Sequence, residues 1–440
     1  MNIKLITGIL WMTLSVSIFS QTRLTLKEAW EIALQQNLQL RQQQTQIEKS
    51  RQEVAIRKTD LLPTLTATAG YNYVSEVARL DLPVPIPGIP EIEAGVNHQY
   101  DMALQIKQPL FTGFRLLNLL RATEKEALSQ EYQLQSMKNE ILFRIGQLYY
   151  EIQSNRIKQQ VLSQAIARVD YQLTQVKNLY EVGQLPAFDT LEVANRKLQL
   201  RNQQQQLKNM ERVLLIRFQH LLNREDSIDV APLVTEEPTG KLEPLNHYFR
   251  LAEQYRPELQ QLNVMRGGLL YRRKVLQSTY LPQLFAVASY HYARPGVNFF
   301  ENQWMDYYTV GVQMQWELWS WKRNRRKVEQ ASLDVQQLDL KTQQLVKDIR
   351  QQIVEAYELL KNSIQQIRYQ RELVAQEQER FRITQQQFLQ GQASSLEVNS
   401  AEKSLTQAEM ELQQELTHWK QLKLQLEYSS GIIGKELDEY

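Results

Sequence analysis

One pattern occurs twice along the chain and constrains the fold more than any other feature. Leu62-Pro63-Thr64-Leu65 returns as Leu281-Pro282-Gln283-Leu284, and Tyr180-Glu181-Val182-Gly183 returns as Phe388-Leu389-Gln390-Gly391. Around these markers both halves run in one order: helix, strand, loop, strand, very long helix, Gly turn, helix. Length alone allows two or three ordinary domains. The duplication instead implies one architecture built twice, from residues 21–223 and 244–440, joined by a linker at 224–243. The halves differ mostly by a Pro-rich insert at 81–90 in the first strand-to-strand loop.

The strands, expected within 62–111 and 281–319, alternate strictly, so both faces can be read. In the first, Leu65, Ala67, Ala69, Tyr71 and Tyr73 oppose Thr64, Thr66, Thr68, Gly70 and Asn72. In the second, Tyr100, Met102, Leu104, Ile106 and Leu110 oppose Asp101, Ala103, Gln105 and Lys107. The third sets Leu284, Ala286, Ala288, Tyr290 and Tyr292 against Gln283, Ser289 and His291, with Phe285 and Val287 blurring its polar face. The fourth sets Tyr308, Val310, Val312, Met314, Trp316 and Leu318 against Thr309, Gly311, Gln313, Gln315 and Glu317. Each run is ~10 residues, the length a tilted strand needs to cross hydrocarbon. Trp304, Trp316, Trp319 and Trp321 join the tyrosines near strand ends, as interfacial girdles do. Lipid is therefore expected at Tyr71, Leu104, Val310, Val312 and Trp316, and a water-filled lumen at Asp101, Gln105, Lys107, Gln313, Gln315 and Glu317. Four strands cannot close a barrel, and an open edge in lipid leaves backbone groups unsatisfied. Several copies must share one barrel; two give eight strands and three give twelve, and physics alone does not choose.

Composition matters most for the helices. Only 15 Gly and 13 Pro occur in 440 residues. From 114 to 182 there is no Pro and a single Gly, Gly146; from 322 to 390 there is neither. Each tract, 69 residues long (182 less 114, plus one), would form a helix of ~104 Å. Leu162, Ile166, Val169, Leu173, Val176 and Tyr180 alternate spacings of four and three, and Ile367, Val374, Phe381 and Phe388 are spaced by sevens. These are coiled-coil seams, with partners expected in returning helices at 189–223 and 395–428, so that hairpins occupy 113–223 and 321–429.

The N-terminus reads as an export signal at 1–20. Lys4 precedes an apolar stretch at 5–19 that is too short to span a bilayer, and Ser20 is the small residue before the cut. No later apolar run reaches spanning length. The chain has no Cys, which removes disulfide, thiol and zinc-ribbon chemistry and any lipid-modified Cys anchor. His98, His220, His247, His291 and His418 form no i, i+4 metal pair, and neither phosphate-loop glycines nor a Gly-x-Ser-x-Gly elbow occurs. No enzyme, cofactor or metal function is expected. With 51 basic and 49 acidic residues, a nucleic-acid partner is not expected either.

The sequence resembles the TolC family of outer-membrane efflux proteins over essentially the whole mature chain. The matching residues are the opening Leu24-Thr-Leu-Lys-Glu-Ala-Trp-Glu-Ile-Ala-Leu-Gln-Gln-Asn37, the Leu-Pro before each half's first strand, Gln108-Pro-Leu-Phe-Thr-Gly113, and the two Gly turns running to Ala194 and Ala401. The resemblance implies a single domain at 21–440. Its fold would be mostly α with membrane β: a homotrimer whose 12-stranded β-barrel crosses the outer membrane of a Gram-negative bacterium and continues into a periplasmic α-helical tunnel. A periplasmic adaptor and an inner-membrane pump would dock on it. The expected function is a passive exit duct of a tripartite efflux or type I secretion system, for drugs and toxic compounds or for secreted polypeptides. Departures are the Pro-rich loop, Leu-Trp-Ser at 318–320 against Phe-Thr-Gly at 111–113, and the absent lipidation Cys.

Two constellations stand out. Asp189 and Glu192 follow Gly183, and Glu397 follows Gly391, at the turns expected to form the periplasmic tip; rotational copies would make charge rings that narrow the mouth and favour cations. Acids also suit helix starts, and Ser394 with Glu397 spells a capping box, so both readings stay open. The second constellation is basic: Arg57-Lys58, Arg272-Arg273-Lys274, and Lys322, Arg323, Arg325, Arg326 and Lys327. Lipid phosphates or plain water would each suit it. The competing functional class is a periplasmic adaptor, which also joins an exported coiled-coil hairpin to β structure but carries one hairpin, against two here.

Overall fold

The computed structural model describes residues 22–80, 92–226, 228–232 and 242–435. The signal segment, the Pro-rich insert and part of the linker lie outside them. The elements are β1 (Thr22–Leu24), α1 (Leu26–Gln36), α2 (Leu38–Thr59), β2 (Thr64–Tyr73), β3 (Ala78–Leu80), β4 (Ile92–Ala94), β5 (His98–Phe111), α3 (Arg115–Glu181), α4 (Ala187–Leu222), β6 (Ile228–Val230), α5 (Leu245–Tyr255), α6 (Pro257–Gln277), β7 (Gln283–Arg294), β8 (Met305–Gln315), α7 (Arg323–Leu389) and α8 (Ser395–Ser429). The long tracts form unbroken helices of 67 residues each, ending within a residue of the expected limits.

Contacts divide the chain into two units. One holds residues 40–137 and 256–349, and its centre is the antiparallel sheet of order β2-β5-β7-β8. The helix feeding β2 ends in a turn at Leu61 and Leu62, and the helix feeding β7 ends in a 3-10 turn at Ser278–Tyr280. Each then passes a Leu-Pro whose proline has no N–H to offer the sheet.

The other unit holds 1–39, 138–255 and 350–440 and, among its described residues, is helical apart from one parallel pair. Its main core interleaves α3, α4, α7 and α8 through Leu162, Val169, Val176, Val193, Leu200, Phe381, Phe388, Val398 and Leu405. The seam is thus mostly as its spacing reads, but Tyr180 departs from it, standing 47% exposed where the helix runs into its turn. Gly146, the lone glycine of the first tract, has a packing reason: a Cβ there would come within 2.5 Å of Leu424 Cδ2. Omitting the side chain lets α8 lie close against α3.

Two features of this unit differ from the expectation. The helix leading each half is broken rather than single, at Asn37 and at Arg256–Pro257, and Pro257 takes the first helical position, where its missing N–H leaves nothing unpaired. The linker also carries structure: β6 pairs in parallel with β1, Thr22 to Ile228 through Leu24 to Val230. Arg156 secures it, donating from Nη1 to the Val230 carbonyl at 2.6 Å and from Nε to Glu211 at 2.6 Å, and pairing with Asp229. Three residues carry too little alternation to mark a strand, and their partner lies 206 positions away (228 less 22).

Candidate functional site

The sheet sorts its residues by chemistry across all four strands. Directly opposed residues share a face in an antiparallel pair. Leu65 faces Ile106, Ala67 faces Leu104, Ala69 faces Met102 and Tyr71 faces Tyr100. The row continues through Leu104 to Tyr290 and Ile106 to Ala288, then Tyr290 to Tyr308, Ala288 to Val310 and Ala286 to Val312. The register therefore joins four separately alternating runs into one apolar face, because a slip of one residue in any strand would mix the two chemistries. Among the described residues nothing covers it: Leu65, Val310 and Val312 are 69%, 76% and 68% exposed.

Aromatic rings border this face at both ends. Beyond the aliphatic band, Tyr292 stacks on Trp304 at 4.7 Å, with Tyr100 and Tyr71 alongside. At the helical end Trp316 donates its indole N–H to the Tyr280 carbonyl at 3.1 Å, and Trp319 meets Trp321 edge to face at 5.8 Å.

The opposite face holds Asp101, Gln105, Lys107, Gln313 and Gln315 as expected from alternation. Asp101 Oδ1 lies 3.0 Å from His291 Nδ1, within hydrogen-bond distance, and Gln105 donates to the Ser289 hydroxyl at 3.4 Å. Phe285, which blurs the polar pattern in sequence, lies beneath the Lys107 ammonium at 4.4 Å from its ring centre. Trp316 and Glu317 require a correction. β8 ends at Gln315, paired with Gln283, the first residue of β7, because Pro282 just before it has no N–H to extend the ladder. Both residues sit in the connector, where Glu317 pairs with Arg323.

The connector corrects the alignment of the halves as well. Gly113 and Phe114 have φ of 61° and 63°, and the matching left-handed pair is Trp321 and Lys322 at 50° and 64°. The next amides repeat the same bonds, Arg115 to Thr112 at 3.0 Å and Arg323 to Ser320 at 2.8 Å. Trp-Ser-Trp, rather than Leu-Trp-Ser, therefore replaces Phe-Thr-Gly. Gly113 is hemmed in, with Leu281 Cβ and the Ser278 carbonyl each 2.9 Å from where a Cβ would sit. Trp321 is 85% exposed and meets no such wall.

The two hairpin turns share one backbone. Gly183 and Gly391 adopt φ of 75° and 74°, and Gln184 and Gln392 donate back to the Leu179 and Gln387 carbonyls, both at 2.8 Å. This closes each helix by a Schellman turn, which glycine alone enters without a Cβ penalty. The acids beyond the turns differ. Glu397 accepts from the Ser394 amide at 2.7 Å and hydroxyl at 2.9 Å; that backbone bond, then the hydroxyl, holds its carboxyl below the usual range. Asp189 has no such duty, since Pro186 precedes its helix without a side-chain cap, and Asp189 and Glu192 remain half-buried beside exposed Phe188 and Leu191.

Sequence reading overlooked an ionic cluster in the helical core. Glu402, fully buried, accepts from Arg196 Nε and Nη2 at 3.1 and 3.0 Å and from the Thr406 hydroxyl, with Arg168 at 3.5 Å. Arg168 also binds Glu409 at 2.9 Å. The signal lay in the spacing: Val398, Glu402, Leu405, Glu409, Leu412 and Leu416 form a seam, with acids at two of its positions.

A sheet that turns an apolar, aromatic-bordered face away from its own protein, in a chain otherwise made of long coiled-coil hairpins, defines a membrane-inserted β protein with helical extensions. The sequence profile of the outer membrane efflux protein family matches residues 30–223 and 249–431, and the chain belongs to that family. It is 25% identical over 439 residues to the proteases secretion protein PrtF of Dickeya chrysanthemi, covering 97% of this chain and 92% of the relative. Similarity to the toluene efflux pump outer membrane protein TtgF of Pseudomonas putida, 27% identical, spans 164 residues, 37% of this chain and 32% of that protein. A crystal structure of CusC superposes with a TM-score of 0.81 at 15% identity, over 94% of this chain and 93% of that one. The resemblance read from the sequence is thereby confirmed, the protein belongs in the outer membrane, and the adaptor alternative is set aside.

Proposed function

We propose that this chain is the passive exit duct of a tripartite efflux or type I secretion assembly, working as a homotrimer with a periplasmic adaptor and an inner-membrane pump. The observation that carries this is the sheet: four membrane-length strands in the order β2-β5-β7-β8, with β2 and β8 unpaired on their outer edges among the described residues. Hydrocarbon supplies no hydrogen-bond partners, so each outer edge needs another copy. Three copies make a twelve-stranded barrel with room for a lumen, whereas eight strands would fill with side chains. Tyr71, Leu104, Val310 and Val312 then meet lipid, and Asp101, Gln105, Lys107, Gln313 and Gln315 line the bore.

Nearly full-length similarity to a protein named for protease secretion supports polypeptide cargo. The shorter match to a toluene efflux protein supports small apolar cargo as the second reading. Transport in either case is passive, the pump supplying the energy. Of the tip acids, Asp189 and Glu192 are the stronger gate candidates, since Glu397 already caps its helix. The test is biochemical: extracted from outer membranes, the mature protein should need detergent and crosslink as a trimer. A monodisperse monomer in detergent-free buffer would overturn the proposal.

A further inference from the structure

The basic residues noted in the sequence fall into two groups once their contacts are known. Arg57 is neutralised by Glu53 and Asp60, Arg272 by Glu126, Arg323 by Glu317 and Arg325 by Glu329. Lys274 lies over the Tyr271 ring at 5.2 Å. Lys58, Arg273, Lys322, Arg326 and Lys327 have no anionic partner among the described residues, and the last three, all exposed, cluster at one helix start.

These three cations do not serve their own helix. α7 has no acid in its first turn, as α2, α3 and α5 have none, but of these four it alone opens on a run of cations, whereas α1, α4, α6 and α8 carry Glu28, Asp189, Glu258 and Glu397 there. Positive charge at a helix N-terminus opposes the macrodipole, so a run of cations at that end destabilises the helix unless outside anions meet it. The first-half junction offers a comparison inside the same chain. Its αL pair is Gly113 and Phe114, and its helix continues Arg115-Leu116-Leu117-Asn118, with neither the tryptophans nor the charge run.

The position relative to the sheet indicates what those anions are. The connector 316–322 leaves the end of β8 whose outward residues are Val310, Val312 and Met314, and it exposes Trp316, Leu318, Trp319 and Trp321 at 50%, 75%, 71% and 85%. The cations follow at once. Apolar strand, tryptophan, then lysine and arginine is the order of hydrocarbon, interface and headgroup, and long basic side chains extend from one layer into the next.

We propose that Trp319 and Trp321, with Lys322, Arg326 and Lys327, form a binding site for the phosphate headgroups of anionic glycerophospholipids in the periplasm-facing leaflet. The inference rests on the outer-membrane reading of the sheet and goes beyond it by assigning one junction of the two a lipid preference. The tryptophans fix depth at the interface, and the cations supply the headgroup selectivity.

The full-length protein, purified in detergent, is offered equal amounts of phosphatidylglycerol and phosphatidylcholine, and retained lipid is counted by mass spectrometry. Wild type should favour phosphatidylglycerol by about fivefold or more, given three surface cations. The variant Lys322→Gln/Arg326→Gln/Lys327→Gln should retain both lipids equally with its trimer yield intact, and Lys341→Gln/Lys347→Gln, deeper in α7, should keep the preference. Excess inorganic phosphate should leave the lipid in place; its displacement would assign the site to free phosphate and overturn the lipid assignment. Trimers with no headgroup preference, or a triple variant that keeps it, would overturn this inference and leave the duct standing. A protein that retains no lipid would overturn both.

Discussion

The sheet and the helical core use the same side chains in opposite ways. Val169 in the hairpin core is completely buried, whereas Val312 on the sheet is 68% exposed in the single chain. In the core, a polar group must find its partner inside the protein, and Glu402 does so with two arginines. On the sheet, apolar groups find no partner among the described residues, and in the proposed duct lipid completes them. The difference shows that burial within one chain is no guide to which residues matter: with hydrocarbon as the sheet's solvent, as proposed, its alternation obeys that medium.

Breaking the comparison on the helical side should have the largest effect. Glu402→Ala leaves Arg196 facing a buried void and should destabilise by about 3 to 5 kcal/mol, because the penalty is that of an uncompensated buried charge. Thermal unfolding followed by circular dichroism in detergent measures it. Glu402→Leu with Arg196→Met, removing both charges, should recover most of the loss; failure to recover would show that the ions fix the pairing of the hairpins.

On the sheet, Val312→Arg should cost ~2 to 4 kcal/mol near mid-bilayer, whereas its neighbour Gln313→Arg should assemble normally and change conductance alone. Equal trimer yields from the two variants would mean that the faces are assigned the wrong way round.

At the turns the effects are smaller. Asp189→Asn with Glu192→Gln should reduce cation preference in planar bilayers without loss of trimer, the difference shrinking at ~1 M salt as the Debye length falls to about 3 Å. Unchanged selectivity with lower thermal stability would make them helix-start residues only. Glu397 tests the contrasting turn through pH. Its carboxyl titrates below the ordinary 4.5, so the stability it contributes is fully present above about 4.5 and is lost as pH falls through its lowered folded value. The melting difference between wild type and Glu397→Gln should therefore be present at neutral pH and vanish in strong acid.

Much of this was legible because it depends on spacing along the chain. The pleat has a period of two, so alternation alone sorted Tyr71, Leu104, Val310 and Val312 from Asp101, Gln105 and Gln313, and the register kept that sorting across strands. Long stretches without Pro and with at most one Gly gave α3 and α7, and the two turn glycines gave the turns, since few other residues enter left-handed backbone. Tertiary structure decided what depends on distant partners. It ended β8 at Gln315 through the proline that precedes the neighbouring strand and paired β1 with β6 across the chain. It also gave Gly146 its reason in Leu424, drew two arginines onto Glu402, and left Lys322, Arg326 and Lys327 without an anion among the described residues. Periodicity is a property of the local backbone and can be counted, whereas the neighbour across a seam or a ladder is set by chain reversal, and only the folded arrangement brings it within reach.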